Sequence, residues 1–182
     1  MPALPADPQA VIAFWREAGP DRWFKADPDF DAAIRERFAE LHAAAARGEL
    51  DGWAATPEGA LALVLVFDQF PRNLHRGTPQ AFATDGQALA VARMALSRGD
   101  AERLDRDLNQ FLALPLMHSE DLADQEDCVA WMERIGPDNL PFAIEHRDIV
   151  QRFGRFPHRN PILGRETTPE ERRFLDDGGF AG

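Results

Sequence analysis

Positive charge, cysteine and long apolar runs are all scarce in this sequence. Lys and Arg number 20 against 31 Asp and Glu, a formal charge of -11 at neutral pH. That balance excludes general affinity for nucleic acid or for an anionic membrane surface. The single cysteine, Cys128, excludes an internal disulfide. Its neighbours Val129 and Trp131 mark it as a small packed hydrophobe rather than a nucleophile. The longest apolar run, ALALVLVF from Ala60 to Phe67, falls far short of the roughly 20 residues that span a bilayer. The N-terminal MPALPADPQAVIAFW has two early prolines and no basic region ahead of its apolar residues, so it does not read as a signal peptide. A soluble, cytoplasmic protein without membrane contact is expected.

Several motifs are missing as well. There is no Gly-x-Gly-x-x-Gly, no Gly-Lys-Ser/Thr phosphate loop and no Gly-x-Ser-x-Gly elbow. No histidine is spaced from a second histidine or a glutamate as helical metal sites require, so neither metal nor cofactor is expected. No internal repeat of 34 residues emerges, because Trp15, Trp53 and Trp131 do not begin similar segments. Strand signals are nearly absent, and LALVLVF lacks a partner run with which to pair.

Helix punctuation is abundant. Asp7-Pro8, Asp27-Pro28, Thr56-Pro57, Thr78-Pro79 and Thr168-Pro169 each pair a capping side chain with a proline. Proline at the first helical position loses no useful hydrogen bond, while the Asp or Thr oxygen accepts from an orphan amide. Glu171 completes a capping box with Thr168. Gly48, Gly99 and Gly154 stand where helices end. Apolar stripes at helical spacing follow, Phe30, Ile34, Phe38, Leu41, Ala45 in one segment and Phe142, His146, Ile149, Phe153 in another. These signals predict helices near 8–18, 28–47, 57–70, 79–98, 105–116, 119–135, 139–153 and 169–176. The fold expected is all-α, one domain over residues 1–182, a bundle of antiparallel helix pairs with 57–70 most buried. Its 182 residues, 45% of them hydrophobic, are enough to bury about 70% of the unfolded surface.

Two segments combine charge with aromatics, FDQFPRNLHRGTPQAFATD (67–85) and HRDIVQRFGRFPHRNPILGR (146–165). The second holds Arg147, Arg152, Arg155, Arg159 and Arg165 against one acid, Asp148; it is +4 locally and leaves -15 on the remainder. Asp68 continues the stripe Leu61, Val64, Leu65 inward. A buried carboxylate requires a partner, which Arg72 four residues on or an arginine of the second segment would supply. His146 shares the inward stripe of its helix, whereas His158 sits in a loop between arginines. In HSEDL, Ser119 reads as a helix cap with Glu120 and Asp121 in the first turn, which accounts for both acids without a function for His118.

With LPLMHSEDL and TTPEERRFL, these segments resemble a bacterial family of unknown function, domain of unknown function number nine-two-four. The likeness runs from VIAFWREAGPDRWF to EERRFL and rests on DQFPRN, RGTPQAFATD, MHSED and RFGRFPHRN together. It implies an all-helical, tetratricopeptide-like fold and carries no established activity and no assigned catalytic residue. Phe67 departs from the aliphatic residue the family places before its aspartate.

Three readings of the charged segments stand side by side. In the first, Asp68, Arg72, Asn73, His146, Arg152, Arg155, His158 and Arg159 line a cleft for a small anionic ligand or an acidic peptide, arginine forks binding carboxylate or phosphate. In the second, Asp68, His146 or His158 is the general base of an enzyme and arginines stabilise an anion. In the third, the arginines pair with surplus acids and only hold the bundle together. The sequence leaves the oligomeric state open.

Overall fold

The computed structural model describes residues 7–181, and no strand occurs among them. Asp7 accepts from the Gln9 amide (2.9 Å) and opens α1 (Pro8–Ala18), which a tight turn joins to α2 (Pro20–Trp23). Asp27 accepts from the amides of Asp29 and Phe30 and opens α3 (Pro28–Ala46). A 3-10 segment, Asp51–Ala55, leads to Thr56, whose hydroxyl caps α4 (Pro57–Val64). Leu65–Gln69 then forms a π-helical turn and α5 (Phe70–Leu74) follows, so the helix expected over 57–70 runs four residues further.

The helix expected over 79–98 is interrupted. The Thr78 hydroxyl donates to the His75 carbonyl (2.8 Å) instead of capping, Pro79–Phe82 is a 3-10 turn, and α6 spans Asp85–Ser97. The helix expected over 105–116 is reduced to a 3-10 turn, Asn109–Leu112, and the short α7 (Leu114–Met117). Pro115, having no N–H for the Phe111 carbonyl four residues back, accounts for the break between these two pieces. Next come α8 (Leu122–Ile135), capped by Asp121 rather than Ser119, and α9 (Leu140–Phe153), which ends at left-handed Gly154 (φ 69°). After the 3-10 turn Pro157–Arg159, α10 (Asn160–Leu163) and α11 (Pro169–Asp176) complete the order, α11 with the expected capping box.

Apart from Glu58 in its first turn, helix α4 and the π turn are buried, packed by α1, α6, Asp51–Ala55, α3 and the 3-10 turn Asn109–Leu112. The stripe Phe30, Ile34, Phe38, Leu41, Ala45 is buried as its spacing requires. In α9 the stripe is rotated by about one residue. Ala143, His146, Ile149 and Val150 face inward while Phe142 is 53% exposed. A separate small core of Ile149, Val150 and Phe156, with Phe153, Phe174 and Phe180 against it, anchors the C-terminal elements. No helix of the described residues is long and apolar enough to cross a membrane.

Candidate functional site

The site begins with a proline inside a helix. Pro71 offers no N–H to the carbonyl four residues back, and the chain answers by widening: the Phe70 amide donates five residues back, to Leu65. The carbonyl of Phe67 thereby lacks the Pro71 amide, and the Thr84 hydroxyl takes it (2.7 Å), while the Arg72 guanidinium donates to the carbonyl of Asp68. This places Asp68, wholly buried, beside three donors: Gln69 Nε2 at 2.6 Å, His118 Nδ1 at 2.7 Å and Arg72 at 3.3 Å. Burial pushes the Asp68 pKa up, but the charge of Arg72 and then the contact with His118 outweigh it and hold the carboxyl well below the usual range. Arg72 is itself pinned by Asp85 through two bonds, 2.9 and 3.2 Å.

His118 is neutral at pH 7, because burial and then the Arg72 charge lower its pKa more than Asp68 raises it. An ionised Asp68 only accepts, so the imidazole proton resides on Nδ1 and a lone pair is left on Nε2. That nitrogen has no hydrogen-bond partner among the described residues and keeps contact with solvent, on a side chain 17% exposed.

Arg159 is the second centre. Phe156 is buried and its amide donates to Glu120 (2.7 Å), which Arg165 also grips at 2.7 and 3.0 Å. These contacts fix the Pro157–Arg159 turn and drive Arg159 inward until only 7% is exposed. Its guanidinium carbon lies 4.7 Å from the Phe82 ring centre and 4.6 Å from that of Phe156. No carboxylate stands within 4 Å of it and none of its side-chain nitrogens has a hydrogen-bond partner among the described residues, its Nε being buried as well. Burial, then repulsion from Arg72, lowers its pKa to about 10, so it remains a cation at neutral pH. Arg72 approaches the same Phe82 ring at 5.7 Å, which links the two centres.

His146 and His158 border Arg159 through Phe156, their ring centres 5.4 and 5.8 Å from it, and Phe180 covers both at 4.5 and 5.1 Å. His146 Nδ1–H donates to the Phe142 carbonyl (2.8 Å), whereas Nδ1 of His158 is buried and unpartnered. Burial, then the charge of Arg159, pushes the His158 pKa down to about 4.

Asp68, Arg72, His146, His158 and Arg159 thus form one connected group. The other residues expected with them are engaged elsewhere. Asn73 bonds Asp31 (2.7 Å), which also holds Arg76. Arg152 pairs with Glu170 (3.0 Å) over Phe153, and Arg155 pairs with Glu171 (2.6 and 2.9 Å). Two open depressions border Arg152 and Phe174, and none of the buried unpartnered polar groups lines either. Among the described residues no three His, Cys, Asp or Glu side chains converge as a metal would need. Cys128 is buried, and burial pushes its thiol up to about 12.

His118 and Glu120 were not legible as site residues. In sequence they explain themselves as neighbours of a helix start, but Glu120 is spent on the Phe156 amide and Arg165 instead of the helix dipole. Asp68 lies 50 positions from His118, with no local pattern joining them.

Comparison with known proteins adds a family and no activity. No curated protein matches the chain. The solved structure of a protein of unknown function from Agrobacterium tumefaciens superposes with a TM-score of 0.91 at 50% identity, covering 94% of this chain and 97% of that one. The family model described as bacterial protein of unknown function (DUF924) matches residues 11–179, and with this helical architecture the chain belongs to that family.

Proposed function

We propose that the protein binds a small anion, a carboxylate or phosphate, at Arg159. The observation that carries this reading is an arginine only 7% exposed, its Nε buried, whose side chain has neither an acid nor a hydrogen-bond acceptor among the described residues. Burying a charge without a partner is costly, and two phenyl rings offset part of that cost while satisfying none of the N–H donors. The other arginines of the 146–165 segment each hold an acid. Arg72 and the unpartnered Nδ1 of His158 supply further donor capacity beside Arg159, the latter once protonated or in its Nδ1–H form. With only 7% of Arg159 exposed, the reading is of a small molecule rather than an acidic peptide. The reading places the protein in the cytoplasm, without nucleic acid, in keeping with its net charge of -11.

Arg159→Met tests it. The apolar isostere removes the unpaired charge, so the ligand-free protein should keep or gain stability. It should lose the rise in melting temperature that phosphate, sulfate or a dicarboxylate gives the parent, which reflects about 2.7 kcal/mol of stabilisation at one hundred times the Kd. A parent indifferent to all three anions would refute the reading. The Asp68–His118 pair favours a second, catalytic reading with His118 as general base oriented by Asp68. It requires turnover of a bound anion that fails as His118 becomes protonated.

A further inference from the structure

We infer that Phe82 is a spacer that keeps Arg159 from pairing with Asp85, and that this separation leaves the guanidinium free to take an anion. The inference rests on the anion-binding reading above and adds the residue that holds its site open. Phe82 ends the 3-10 turn Pro79–Phe82, and Asp85 opens α6 just beyond it. Asp85 holds Arg72 through two bonds, 2.9 and 3.2 Å, and the Arg72 guanidinium carbon lies 5.7 Å from the Phe82 ring centre. The guanidinium carbon of Arg159 lies 4.7 Å from the same centre. One ring thus meets both the arginine that Asp85 engages and the arginine that no acid engages among the described residues.

Asp85 is the acid that Arg159 would take. An ionised carboxylate has about four acceptor sites, and Arg72 uses two bonds to Asp85. Burial and then Arg72 lower the Arg159 pKa, and among the acids that oppose them Asp85 leads, ahead of Glu120 and Asp68. What stands against the pair is the phenyl ring, which offers the cation its face in place of a carboxylate. Phe156, the other ring against Arg159, belongs to the same loop and is wholly buried in the small C-terminal core, so it supports the guanidinium without dividing it from α6.

Calorimetric titration with sulfate at neutral pH tests the inference on the full chain, with Phe82→Ala, Asp85→Asn and the double variant. Phe82→Ala should bind sulfate roughly tenfold more weakly than the parent, the loss expected when Arg159 is paired in about nine molecules of ten. In the Asp85→Asn background the same substitution should cost no more than about twofold, since no carboxylate is left there to capture Arg159. Equal affinity of parent and Phe82→Ala would overturn the inference. So would an equal loss in both backgrounds, which a ring that merely props the arginine would give. Should Phe82→Ala not fold, Phe82→Val takes its place. A parent that binds no anion would refute the site reading above, and urea midpoints would still decide the spacing. Arg159→Met and Asp85→Asn should be additive in the parent and coupled in the Phe82→Ala protein, whereas additivity in both would overturn the inference.

Discussion

At the scale of single residues, Arg155 and Arg159 show how alike two arginines look in sequence and how differently they are used. Both stand in one proline-bearing loop, yet Arg155 grips Glu171 through two bonds and also reaches the Glu166 carbonyl, while Arg159 touches only rings. Glu171 is buried and further held by the Thr168 amide (2.8 Å) and Asn160 (3.1 Å). Arg155→Ala should therefore cost about 1–3 kcal/mol in urea unfolding at pH 7 by leaving a buried carboxylate short of donors. It should not touch anion-dependent stabilisation. The hydrogen bonds from Arg155 lead in holding the Glu171 pKa down to about 2. A carboxyl lowered on folding stabilises above its unfolded value near 4.5 and loses that contribution as pH falls toward 2, so parent and variant should converge across that window.

At the scale of elements, the unit from α4 through the π turn to α5 depends on a residue outside it. Thr84 donates to the carbonyl that Pro71 leaves unserved, and its oxygen in turn lies 3.4 Å from His42 Nε2. Thr84→Val keeps the shape but orphans a buried carbonyl, for an expected loss of about 1–3 kcal/mol, whereas Thr84→Ser should restore most of it. Denaturant midpoints of the two variants check this. The same unit marks the limit of sequence reading. Asp7, Asp27, Thr56 and Thr168 were legible as caps, and Gly48, Gly99 and Gly154 as stops, because each acts on amides within a few residues of itself. Pro71 should have ended a helix by local rules, and it does not because Thr84 serves the Phe67 carbonyl that Pro71 leaves without an amide. Thr78 had the same local sequence as the true caps, yet its hydroxyl was drawn to His75. The Asp68–Arg72 pair was legible from its four-residue spacing. Which arginine of 146–165 would lack an acid was not, since Glu120, Glu170 and Glu171 reach Arg165, Arg152 and Arg155 from outside the segment.

At the scale of the whole molecule, the histidines couple folding to pH in one direction. His42, His118, His146 and His158 all have pKa values below the ordinary one, burial being the first cause for each. In the unfolded chain these imidazoles titrate near 6.5, so below that pH the unfolded state binds protons that the folded state refuses. Stability is then complete above pH 6.5 and declines on acidification, each histidine contributing up to about 1.4 kcal/mol per pH unit until its folded pKa is reached, about 4 for His158. Urea midpoints should be level from pH 8 to 7 and fall between 6.5 and 5, before the carboxylates titrate, with His158→Gln flattening part of the slope. A level profile down to pH 5 would mean that these rings are not held neutral by burial. Anion affinity should behave differently over the same range. Arg159, with its pKa about 10, stays charged throughout, and His158 gains a proton only near pH 4. Binding of sulfate should hence change little from pH 8 to 5.5 while stability drops, because the folded-state charges of Arg159 and His158 stay as they are across that window and the protons are taken up by the unfolded chain.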